Sequence, residues 1–206
     1  MEHGAALTFT AIPEPPPTRQ VPFMLQSSLL LSHPDLPIIN LTPGQLLIAE
    51  QGAIVSTILG SCVSLCLHSE KFRVGAICHC MLPHQTKPPV AGHFPYLDTA
   101  VPHMFETLTA RYGLSPSELT VKMFGGASVL QTHMAGADGL AIGQQNITAA
   151  LMALARFGLA PKVQKTGGTE GYKIFFNPGT GEVFVRRIAP NIAKSFAQTT
   201  KRPAAP

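Results

Sequence analysis

Four short β-prone runs follow one another with no room for a helix between them: LLIAE (46–50), AIVSTIL (53–59), VSLCLH (63–68) and RVGAICHCML (73–82). Gly52, Gly60 and the polar stretch Ser69 to Lys71 break the series. Strands this close in sequence must pack side by side, so the chain is committed to sheet before any helix appears. The polar SEKF stretch lets the strand after Cys62 return as a neighbour carrying His79.

Helical spacing begins only after this block. From about Thr99 to Tyr112, Val101, Met104, Phe105, Leu108 and Tyr112 recur at three- and four-residue intervals, with Gly113 as terminator. A strand, LTVKMFG, follows, and IGQQNITAALMALARFGL then predicts a second helix with Ile147, Ala150, Leu151, Leu154 and Phe157 along its buried stripe. The end of the core reads as strand (163–166), Gly-rich turn, strand (172–177), PGTG turn and strand (182–187), a pattern of late hairpins. The prediction is a single-domain layered α/β sandwich with mixed or antiparallel sheets and no regular βαβ repeat. Its 206 residues and 45% hydrophobic content suit one core.

Eight prolines before residue 44 mark 1–43 as a Pro-rich extended arm, whose apolar patches VPFML and LLL are able to dock. The domain is placed at 44–190 and a flexible tail at 191–206.

A net charge of +4 from 15 basic and 11 acidic residues, scattered along the chain, is too dilute for a nucleic-acid interface. No uninterrupted apolar stretch reaches bilayer-spanning length, which argues against membrane insertion. The clustering of Cys62, Cys66, Cys78 and Cys80, with no secretion signal at the start, predicts reduced thiols in the cytoplasm.

The chemistry concentrates in LGSCVSLC (59–66) and GAICHCMLPH (75–84). An imidazole on a neighbouring strand is placed to take the thiol proton of Cys62, and a tight turn at Gly60-Ser61 exposes both sulfur and amides to a substrate. The residues alone leave three readings of Cys62: a hydrolase nucleophile, an ordinary buried small side chain, or a metal or redox ligand. The spacing C-x3-C followed by CHC is not that of paired zinc knuckles, and no C-x-x-C redox pair occurs. Cys78 and Cys80 flank His79 and face away from it, and Cys66 alternates with leucines, so all three are expected in the core. KMFGGAS (122–128) and GGTEG (167–171) lack phosphate-loop spacing and read as tight turns. His68, His84, His93, His103 and His133 read as surface, cap or turn residues.

LGSCV, His79 followed by MLP, FGGA, IGQQN and GGTEG, in that order, resemble the CheD family of bacterial chemoreceptor glutamine deamidases over roughly residues 44–188. The resemblance implies a fold distantly like the catalytic domains of deamidating toxins, with Cys62 as nucleophile, His79 as base and no metal or organic cofactor. It also places a family threonine six positions before the nucleophile, where this chain has Ser56, so that Ser56 is expected as the third catalytic residue, orienting His79 or binding the intermediate; Thr57 is the neighbouring alternative. Pro95 stands where the family often has Arg, and Tyr172 where a basic residue usually follows the glycines. The implied partners are the cytoplasmic helices of chemoreceptors and a CheC-like phosphatase of the response regulator. The second of these admits a different role, that of an adaptor regulating the phosphatase.

Overall fold

The computed structural model describes residues 32–128 and 141–188. Two sheets carry the fold. One has four strands in the order β1-β3-β8-β9, formed by β1 (Ile38–Asn40), β3 (Ile54–Leu59), β8 (Gly171–Phe176) and β9 (Val183–Ile188). The other has five in the order β2-β5-β4-β6-β7, formed by β2 (Leu46–Ala49), β5 (Val74–Cys78), β4 (Val63–Ser69), β6 (Thr120–Gly125) and β7 (Pro161–Thr166). Helices α1 (Leu97–Tyr112) and α2 (Ile142–Ala155) cover the outer face of the five-stranded sheet, giving three layers. No helix among the described residues is long and apolar enough to cross a membrane.

Strand alternation divides the core in two. Val63, Leu65, Leu67, Ala76, Cys78 and Cys80 face the helices, against Val101, Met104 and Leu108 of α1 and Ala150 and Leu154 of α2. Their intervening neighbours Cys66 and Ile77 face the other sheet, against Val55, Leu59, Phe124, Ile174 and Phe176. The buried positions of Cys66, Cys78 and Cys80 agree with the core role expected of them.

α1 starts two residues before the expected Thr99 and ends where expected, with Gly113 closing it at φ 66° and its N–H on the Thr109 carbonyl. α2 stops at Ala155, short of the expected Leu159 and without Phe157, as the chain turns through Gly158 at φ 67°. The stripe on α2 is rotated from the expected one: Gly143, Asn146, Ile147, Ala150 and Leu154 are buried, whereas Leu151 is exposed. Only one of the late hairpins exists. β8 and β9 pair antiparallel, but β7 pairs parallel with β6 in the other sheet, so GGTEG carries the chain between sheets. Ile38–Asn40, within the segment assigned to the arm, pair parallel with β3 and belong to the domain. His68 is also corrected: it is buried, packed beside Gly181. The rest of the arm (1–31), the tail (191–206) and His133 lie outside the described residues.

Candidate active site

The site forms where the chain steps from one sheet to the other. β3 ends at Leu59 and β4 begins at Val63, so Gly60, Ser61 and Cys62 make the whole connection. β4 and β5 exchange backbone bonds at Val63 and Cys80 (3.0 and 2.9 Å). In this register Cys62 and His79 lie on the face opposite Val63 and Cys80, the face turned toward the four-stranded sheet. His79 follows the end of β5 and is held by the segment before β2: its N–H donates to the Gln45 carbonyl (2.9 Å) and its carbonyl accepts from Gly44 (2.8 Å).

The third group comes from the opposite sheet. The Thr57 hydroxyl donates to the Leu41 carbonyl (2.8 Å) and lies 2.7 Å from His79 Nδ1. One hydroxyl has one proton, and a carbonyl only accepts; with that proton directed to Leu41, the oxygen accepts from Nδ1–H. The imidazole is thereby set in the Nδ1–H tautomer with a bare lone pair on Nε2, which has no hydrogen-bond partner among the described residues.

This arrangement corrects the assignment of Ser56. Thr57 shares the inner face of β3 with Val55 and Leu59, whereas Ser56 points outward with Ile54, on the face that carries Phe175. Ser56 is buried and its Oγ has no hydrogen-bond partner among the described residues.

Burial sets the charges. It pushes the Cys62 thiol up to about 11, against a smaller lowering by its own backbone N–H. It pushes His79 down to about 4, opposed by the Leu41 carbonyl. The resting pair is therefore a neutral thiol and a neutral imidazole rather than an ion pair.

Two glycine turns are stacked behind the cysteine. Gly126 donates to the Cys62 carbonyl and Ala127 to the Gly60 carbonyl, both at 2.8 Å. Gly125 has φ 101°, and a Cβ there would collide with the Cys62 carbonyl oxygen. Gly167 in turn donates to the Gly125 carbonyl (2.9 Å). FGGA and GGTEG are thus supports for the Cys62 turn. Asn146 of α2 was not singled out in the sequence; its Nδ2 donates to the carbonyls of Ser61 (3.0 Å) and Met81 (2.9 Å). The signal available for it was an amide lying within an apolar helical stripe. Among the described residues no three His, Cys, Asp or Glu side chains cluster to hold a metal ion.

A three-layer α/β domain with an imidazole and a threonine hydroxyl in contact across its two sheets, and a thiol on the same inner face, is the class of protein in hand. A family profile described as CheD chemotactic sensory transduction matches residues 81–187. Similar curated proteins include the probable chemoreceptor glutamine deamidase CheD 2 of Geobacter sulfurreducens, 38% identical over 156 residues, covering 76% of this chain and 93% of that protein. The probable chemoreceptor glutamine deamidase CheD of Maridesulfovibrio salexigens is 36% identical over 160 residues, covering 75% and 94%. The chain belongs to the CheD family.

Proposed function

We propose that this protein hydrolyses the side-chain carboxamide of selected chemoreceptor glutamines, releasing ammonia and leaving glutamate. One observation carries the mechanism: the Thr57 contact that leaves His79 Nε2 free to accept a proton, on the face that Cys62 shares. Relatives bearing the name chemoreceptor glutamine deamidase supply the substrate class.

The buried thiol is too weakly acidic to ionise unaided, so proton transfer accompanies attack. His79 Nε2 takes the Cys62 proton as the sulfur bonds to the carboxamide carbon, and the C=O pair moves onto oxygen. In this reading the backbone amides of the Gly60-Ser61-Cys62 turn hold that oxyanion. Nε2–H then protonates the amine, the C–N bond breaks and ammonia leaves a thioester. His79 next deprotonates water, which attacks the thioester; the sulfur leaves, recovers its proton and frees glutamate. The Thr57 hydroxyl, bonded to Nδ1–H, steadies the imidazolium in each half-reaction. This reading puts the reaction in the cytoplasm, where the helical receptor domains lie, and keeps the distant likeness to deamidating toxins as part of the proposal.

Purified protein incubated with a cytoplasmic receptor fragment from the same cell should release ammonia and add one dalton at particular glutamines. Cys62→Ala should abolish the change, and His79→Ala should reduce it by about 10²–10⁴-fold, the usual worth of general-base assistance. An unmodified receptor, together with altered activity of a CheC-like phosphatase bound to this chain, would replace the hydrolase reading with the adaptor one.

A further inference from the structure

We infer that Asn146 is a positioning residue of this site, a clamp that fixes the nucleophile turn against the strand carrying the base. The inference rests on the Cys62–His79 reading given above. β4 and β5 stay paired only as far as Val63 and Cys80. Beyond that point they diverge: Met81 donates instead to Pro95 (2.9 Å), and the Cys62 carbonyl is taken by Gly126. Asn146 fills the opening. Its single amide nitrogen donates to Ser61 O at 3.0 Å and Met81 O at 2.9 Å, one contact adjoining the nucleophile and the other two residues past the base.

An amide nitrogen carries two N–H bonds at a fixed angle, so bonding both carbonyls sets the distance between them. A single hydroxyl has one proton and a carboxylate has none. The geometry also argues against simple packing. Asn146 is fully buried, and its Oδ1 has no hydrogen-bond partner among the described residues. An apolar residue would avoid that unmatched acceptor, so what the site gains from Asn146 is the pair of donors.

The helix holding Asn146 is itself held at a set depth. One turn earlier, a Cβ on Gly143 would collide with the Gly126 carbonyl oxygen and lie 3.0 Å from that of Ala127. The first turn of α2 therefore rests directly on the FGGA loop, whose amides hold Cys62 and Gly60. Asn146 acts on the reaction through the placement of Cys62 and His79 and touches neither reacting group.

The test is the alkylation rate of Cys62 by iodoacetamide, measured on the full chain, wild type beside His79→Ala, Asn146→Asp and Asn146→Ala, with thermal melting for each. Asn146→Asp keeps the shape but cannot donate to both carbonyls at once. Asn146→Ala introduces no new charge and serves if the aspartate variant fails to fold. Folded Asn146 variants should alkylate at least tenfold more slowly than wild type, approaching His79→Ala, and should lower kcat on a receptor fragment while leaving KM unchanged. A structural role alone would lower the melting temperature and leave the alkylation rate of the folded protein as it was; that result overturns the positioning role only. Equal rates in wild type and His79→Ala would overturn the Cys62–His79 reading as well.

Discussion

At the scale of single residues, two neighbouring hydroxyls on β3 have opposite fates. Thr57 bonds the His79 ring, whereas Ser56 is buried on the far face with no side-chain hydrogen-bond partner among the described residues. Thr57→Val keeps the shape and removes the hydroxyl. General-base assistance is worth about 10²–10⁴-fold, and losing the tautomer lock should remove about tenfold or more of it. Ser56→Ala should leave activity unchanged and stability equal or higher by about 1 kcal/mol, since it deletes a buried, unsatisfied group. Steady-state assays across pH check both, and the wild-type kcat/KM should hold below the usual imidazole range and fall only as His79 gains a proton near pH 4. Stability follows the same sign: the unfolded chain binds the His79 proton first, so this contribution is complete above about 6.5 and declines as pH falls toward 4. The sequence made Cys62 and His79 visible because a thiol after Gly-Ser and an imidazole one strand later are chemically distinctive. It did not separate Ser56 from Thr57 because IVSTIL is apolar on both faces; Ile54 and Val55 are equally buried, so alternation carried no sign.

At the scale of elements, glycine turns determine where the cysteine sits. Gly125 and Gly158 both have positive φ, but open space surrounds Gly158 while the Cys62 carbonyl occupies the side-chain position of Gly125. Gly158→Ala should therefore cost about 1–2 kcal/mol of backbone strain and leave Cys62 reactivity intact. Gly125→Ala should destabilise more and slow alkylation of Cys62 as well, a contrast readable by thermal melting and mass spectrometry. Helix positions were legible because three- and four-residue apolar spacing is a local signal. The partner of β7 was not, because GGTEG has the turn chemistry of a hairpin whichever sheet receives the next strand. The same local reading misplaced Leu151, since an all-apolar run such as AALMALA does not announce which side is wet.

At the scale of the whole molecule, the site depends on a segment that prolines made look peripheral. Leu41 supplies the carbonyl that orients Thr57, and it follows β1, whose parallel pairing with β3 is a long-range contact with no local signature. A chain shortened to begin at residue 44 should melt at lower temperature and alkylate Cys62 more slowly than one beginning at residue 32, because only the longer one retains β1 and Leu41. Layered sheets were expected, but the assignment of strands to them was not legible; run lengths suggest strands and do not say how they are divided between layers. That division gives the hydrogen bond between Thr57 and His79 a second meaning. Its two ends are anchored in different slabs of the molecule, bridged beside the site by a three-residue strap. Sliding one slab over the other by less than an atomic diameter would break the lock on the ring proton without unfolding anything. The Thr57–His79 contact is thus geared to the alignment of the two layers, and in the proposed reaction a shift of either layer would act on the rate.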